Sequence, residues 1–178
     1  MTTALGRRST ARPDAARPSP ARIAGIDPGI GGAIAVLHGN ALVELHDMPL
    51  ITDRTGRQRV NPVALAELLR HAEPHLVLLE QVNAMPSTGP RRRTMGAQSM
   101  FNFGRGFGVV EATAQVLGLP LRFVAPATWK ARAGLTRRPK DYARTVALQL
   151  YPQANLHRKA DGGRADAILI ARFGHDHW

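Results

Sequence analysis

The chain has 178 residues, 44% of them hydrophobic, which is enough to bury one sizeable core and leaves little room for a second domain. A formal net charge of +11 predicts a polyanionic partner, nucleic acid first, because lysine and arginine gain free energy by releasing counterions condensed on phosphate. The lack of any cysteine excludes disulfides, thiolate zinc sites and a cysteine nucleophile, and no apolar run approaches the roughly 20 residues of a spanning helix, so no membrane partner is expected.

Residues 1–21 are rich in Arg, Ala, Pro and Ser and have no hydrophobic periodicity, so they are expected to form a disordered basic arm ahead of one domain over residues 22–178. An acid-poor leader of this kind also suits an organelle transit peptide, which Pro18 and Pro20 oppose; without an export signal the expected location is cytoplasmic. The arm through Arg22 holds five arginines and one aspartate, so the remainder of the chain stays basic.

Arg22–Asp27 (RIAGID) reads as a short buried strand ending in an acid, followed by the turn Pro28-Gly29-Ile30-Gly31-Gly32. Strands are predicted over Ala33–Leu37 and Leu42–Met48, joined by His38-Gly39-Asn40, which makes the opening an antiparallel meander. A polar loop with Arg54, Arg57 and Arg59 leads to Asn61-Pro62, an N-cap with proline at the first helical position, and Leu65, Leu68 and Leu69 recur at helical spacing. His75–Glu80 (HLVLLE) is too short for a helix and predicts a central parallel strand that also ends in an acid. A Gly-interrupted helix is predicted from about Thr94 to Leu117, then a strand at Leu121–Val124, helices around Ala127–Ala133 and Lys140–Leu150, and a last helix from about Arg164 to Phe173. This is the order of an α/β ribonuclease H-like fold, a mixed central sheet of antiparallel meander and parallel strands flanked by helices.

Asp27 and Glu80 each end a strand made otherwise of apolar residues, the edge at which open α/β sheets present ligands. If the two strands are neighbours the carboxylates converge, and such a pair is costly to bury without a cation; a hard ion that takes carboxylate oxygens, Mg²⁺ above all, fits best. A third source is DGGRAD. Asp166 stands at the start of the last helix and shares a face with Ile170, whereas Asp161 is five residues earlier and joins the site only if Gly162-Gly163 bends the chain; otherwise it is a capping or loop residue.

The ordered set GIDPGIGGAIAV (25–36), LLEQV (78–82), MGAQSMFNFGRGFG (95–108), PATWK (126–130) and DGGRADAILIARFG (161–174) resembles the RuvC-type Holliday junction resolvases, particularly their compact phage and bacterial relatives. The resemblance implies a homodimer that nicks opposed strands of a four-way DNA junction, with two Mg²⁺ ions per site, Mn²⁺ as a substitute and no small-molecule cofactor. It implies catalytic and metal-binding roles for Asp27, Glu80 and Asp166, with Asp27 bridging the ions. Many members carry a further acid three residues before the last one, where this chain has Gly163; Asp161 is the alternative fourth ligand, or there is none.

For the DNA surface, Arg91, Arg92, Arg93, Gln98, Ser99, Phe101, Phe103 and Arg105 follow the second acidic strand, where arginines suit phosphates and a phenylalanine can wedge against an unpaired base. Phe107 reads as core. Arg137 and Arg138 form a second basic patch with Lys130 and Lys140, the two lysines being candidates to stabilise charge developing on the scissile phosphate. Trp129 reads as a packing anchor. Competing readings are an RNA-processing nuclease, a less selective branch or flap nuclease, and a junction-binding protein with an incomplete metal site; an actin-like ATPase would need a longer chain.

Overall fold

The computed structural model describes residues 20–81 and 96–177. Strands β1 (Arg22–Asp27), β2 (Ala33–His38) and β3 (Ala41–Asp47) form the expected antiparallel meander. Residues 49–60, expected as a polar loop, instead contain a small separate hairpin of β4 (Leu50–Thr52) and β5 (Gln58–Val60). Its turn is closed by a side chain: Asp53 Oδ1 accepts hydrogen bonds from the Thr55 N–H (2.8 Å), the Thr55 hydroxyl (2.6 Å) and the Arg57 N–H (3.1 Å). Such local capping leaves no mark on hydrophobic periodicity.

Helix α1 (Pro62–Ala72) starts as its sequence dictates, with Asn61 Oδ1 accepting from the Val63 and Ala64 N–H groups at 3.1 and 3.3 Å. Strand β6 (Leu76–Glu80) then pairs parallel with β1, and after helix α2 (Ala97–Val116) strand β7 (Leu121–Val124) pairs parallel with β6. The five-stranded sheet has the order β3-β2-β1-β6-β7, so β1 and β6 are central neighbours. Helices α3 (Pro126–Arg132) and α4 (Tyr142–Leu150) and a 3₁₀ turn (Lys159–Asp161) precede α5, which begins at Gly162 rather than Arg164 and runs on to His177.

Alternation along the central strands separates two apolar layers. Ala24, Ile26, Val77 and Leu79 face Leu65 and Leu69 of α1 and Val110 of α2. Leu78 and the inward residues of β2 face Trp129, Ala147, Ile168 and Ile170 from α3, α4 and α5. Ile168 and Ile170 are fully buried, each contributing roughly 1.5–3 kcal/mol of apolar transfer. Helix α5 lies directly on β1 because position 25 is glycine: a Cβ there would stand 2.2 Å from the Ala171 nitrogen and 2.4 Å from the Ala167 carbonyl oxygen. Among the described residues, no helix is long and apolar enough to cross a membrane.

Candidate active site

The parallel pairing of β1 and β6 brings Asp27 and Glu80 to one edge of the sheet, and α5, seated on β1, brings Asp166 to the same place. The charge of Asp27 acts on Glu80, and those of Asp27 and Glu80 both act on Asp166. Asp27 is pushed above the usual carboxylate range by burial, against a hydrogen bond from the Gly29 N–H (3.2 Å) and the charges of Lys130 and Lys140. Glu80 is raised by burial and then by the charge of Asp27, against a hydrogen bond from Trp129 and the charge of Lys130. Asp166 is pushed up to about 7; burial is the main cause, Lys130 and Lys140 oppose it, and Asp27 and Glu80 reinforce it. Three strand-end and helix-start acids, expected to converge, are thus within electrostatic reach of one another and of Lys130, and Asp27 and Asp166 also of Lys140.

The indole of Trp129 is fully buried, as a packing anchor should be, but it also donates Nε1–H to Glu80 Oε1 at 3.0 Å. Lys130 Nζ lies 4.0 Å from the same oxygen and 4.9 Å from the centre of the indole ring. The adjacent pair in PATWK therefore meets one and the same oxygen of Glu80, a role that sequence inspection missed. The available signal was that a buried indole N–H needs an acceptor.

Asp161 does not join this group. Gly162 is helical (φ −57°, ψ −44°), so the chain runs straight from the 3₁₀ turn into α5 without the bend that would redirect it. Asp161 is instead buried, at 1% exposure, and accepts from the Arg158 N–H (2.7 Å) and the Arg158 Nε–H (2.8 Å). Burial alone would raise its pKa, but these bonds and the charges of Arg158 and Arg164 leave it lowered. Arg158 and Arg164 both reach on to Asp47 at the end of β3, Arg164 through two hydrogen bonds of 2.6 and 2.9 Å. The expected alternative fourth ligand is thereby part of a bracket that ties the start of α5 to the sheet.

Position 163 has its own explanation. A Cβ on Gly163 would stand 2.2 Å from the Gly31 carbonyl oxygen and 2.9 Å from the Gly32 Cα, so the turn after β1 occupies the space that an acidic side chain there would need. Among the described residues no three acidic or histidine side chains form a compact, ready-made ligand set for an ion. The donor chemistry nevertheless suits a hard divalent cation: three partly desolvated carboxyls repel one another, and the cations closest in effect are two lysines.

Of the expected DNA-contacting residues, Arg91, Arg92 and Arg93 lie outside the described residues. Gln98, Ser99, Phe101 and Arg105 are exposed on α2. Phe103 is half-buried beside the turn after β1, its ring carbon Cε2 3.7 Å from where a Gly29 Cβ would be. Phe107 packs on Phe123, ring centres 5.9 Å apart, and against the α1–α2 layer. Arg137, Arg138 and Lys140 are exposed between α3 and α4; Arg137 takes φ +60°, and the Arg138 guanidinium sits 5.0 Å from the Tyr142 ring centre.

No family model matches the chain, and no curated protein does. Solved structures do match. Thermus thermophilus RuvC in complex with a Holliday junction substrate aligns with a TM-score of 0.57 at 17% identity, covering 85% of this chain and 90% of that one. A second structure of Thermus thermophilus RuvC gives 0.54 at 17% identity, covering 86% and 97%. The yeast mitochondrial Holliday junction resolvase Ydc2 is more distant, with a TM-score of 0.45 at 15% identity, covering 92% and 84%. The mixed five-stranded sheet flanked by helices is the ribonuclease H-like fold of RuvC.

Proposed function

We propose that this protein is a structure-selective endonuclease that cuts branched DNA at four-way junctions. The observation that carries this reading is the gathering of Asp27, Glu80 and Asp166, all with raised pKa values, at the ligand-presenting edge of a RuvC fold. That RuvC relative was solved with a Holliday junction substrate, and the strong positive charge of this chain suits the same polyanion.

Asp27, Glu80 and Asp166 would hold magnesium, two ions per site. Bound there, the metal would supply charge neutralisation and water activation for phosphodiester hydrolysis. The attacking water displaces the 3′ oxygen, leaving a 5′ phosphate and a 3′ hydroxyl. Trp129 and Lys130 keep Glu80 in place, and Lys130 and Lys140 meet the negative charge that builds on the phosphate. Two copies acting on opposed strands would give symmetric nicks.

The deciding experiment is cleavage of labelled synthetic four-way junctions, with linear duplex and RNA controls, in Mg²⁺ and in EDTA. Paired nicks in the junction that require both metal and Asp27, being lost in Asp27→Asn, are expected. Cleavage of RNA in preference would reassign the substrate. Tight junction binding without nicking would favour a non-cleaving junction binder, a reading supported by the exclusion of an acid from position 163.

A further inference from the structure

Position 163 lies three residues before Asp166 on α5, so the two share one face of the helix, with Cβ positions about 5–6 Å apart. Gly163 has no side chain, and an oxygen stands where one would begin. The Gly31 carbonyl oxygen lies 2.2 Å from the place of a Cβ at 163, and the Gly32 Cα lies 2.9 Å from it.

The turn that supplies this oxygen is fixed from the Asp27 side. Asp27 Oδ1 accepts from the Gly29 N–H at 3.2 Å, and the Gly29 carbonyl accepts from the Gly32 N–H at 2.9 Å. The Gly31–Gly32 peptide is planar and trans, so with its N–H turned in towards Gly29 its C=O points the opposite way, towards the start of α5. Gly32 is buried, and its own carbonyl accepts from the Met48 N–H at 3.0 Å. Gly31 is exposed, and its carbonyl accepts from no backbone N–H among the described residues. A contact with the Gly163 Cα–H engages one lone pair of that oxygen and leaves the other for a ligand.

Main-chain carbonyls are hard, neutral donors of the kind that Mg²⁺, Mn²⁺ and Ca²⁺ take beside carboxylates. Next to Asp27, Glu80 and Asp166, such a donor adds an oxygen without adding a fourth negative charge. Resting on the reading of those three acids as ligands of a hard divalent cation, we infer that the Gly31 carbonyl is a fourth protein oxygen on the ion, in the place of an acidic side chain at position 163. Asp161 is then free to fasten α5 through Arg158, and the glycines at 163 and 31 belong to one device: the first makes room for the oxygen that the second presents.

The test follows a carbon label. Full-length protein is made by cell-free synthesis with glycine carrying ¹³C at its carbonyl carbon and is loaded with Mn²⁺, a paramagnetic probe of the same hard class. Electron–nuclear double resonance at the bound ion should show a ¹³C coupling from the carbon behind a coordinated oxygen. Gly31→Ala keeps the carbonyl but loses the label, and its Cβ meets nothing within 4 Å. The coupling should vanish in that variant and return when it is made with carbonyl-labelled alanine, which gives no coupling in the wild type. Gly31→Ser, made with glycine and then serine labelled in the same way, is the second variant, and melting curves check that both are folded. No coupling in the glycine-labelled wild type, or one that survives these substitutions, overturns the inference. Mn²⁺ binding and junction nicking are measured alongside. Absence of bound Mn²⁺, or binding indifferent to Asp27→Asn, removes the cation-site reading and this inference with it. Binding that needs Asp27 but shows no glycine coupling removes this inference only, and a coupling from residue 31 without nicking removes the nuclease reading only.

Discussion

Asp161 and Asp166 are five residues apart on one continuous helical run, and their surroundings treat them in opposite ways. Asp161 is buried against Arg158 and is held below the usual carboxylate range; Asp166 is partly buried among acids and is pushed up to about 7. Burial disfavours the charge in both cases. What differs is the surroundings: Arg158 hydrogen-bonds Asp161 directly, whereas around Asp166 the charges of Lys130 and Lys140 are set against those of Asp27 and Glu80, which separates an acid that fastens the helix from one whose charge is left for a ligand.

The sharpest way to break this contrast is Asp166→Asn. Nicking should fall by about a thousandfold or more, comparable to losing a whole charge-stabilising group at a reaction centre. Stability should move the other way. A carboxyl whose folded pKa is about 7, against 3.8 unfolded, gives the folded state the extra proton between those values, so metal-free protein loses stability as pH rises from about 4 to 7. Thermal melts of the metal-free wild type should therefore drop by several degrees from pH 5 to pH 8, the slope should flatten in Asp166→Asn, and Mg²⁺ at pH 8 should restore the wild type. A flat profile in the wild type would sink the account.

Gly163→Asp asks whether the missing acid can be restored. With Gly31 carbonyl oxygen 2.2 Å from the new Cβ, the turn after β1 must move, and a loss of about 3 kcal/mol is expected in denaturant unfolding rather than any gain in activity. Asp161→Asn should cost about 2 kcal/mol by weakening the bonds from Arg158, with nicking at permissive temperature falling far less than in Asp166→Asn. The smallest effect is expected from Trp129→Phe, which keeps a ring in the core but removes the N–H donated to Glu80. Nicking should fall about tenfold while the melting temperature changes by only a few degrees.

Much of the fold was legible because its strands are continuous apolar runs bounded by turn residues. The bounds of Arg22–Asp27 and Leu121–Val124 agree with those expected, and the acids at the ends of β1 and β6 could be placed from strand adjacency alone. The β4–β5 hairpin was not legible, because three-residue strands of mixed polarity owe their turn to one Asp53 oxygen. Nor could DGGRAD reveal which aspartate faces which neighbours: the difference comes from Arg158 and from Asp47, a residue 117 positions away from Arg164. The Trp129–Glu80 hydrogen bond spans 49 residues and is equally invisible to a local pattern.

At Gly25 the main chain of β1 rests on the main chain of α5 with no side chain between them. Asp27 stands two residues beyond that contact on the strand, and Asp166 stands next to Ala167 on the helix. Peptide atoms, which substitution cannot resize, thus act as the gauge block between two of the acids. The neighbouring aliphatic side chains can be exchanged for others of similar volume while that spacing holds, whereas a single methyl group added at position 25 would wedge the helix away and put the acids out of register.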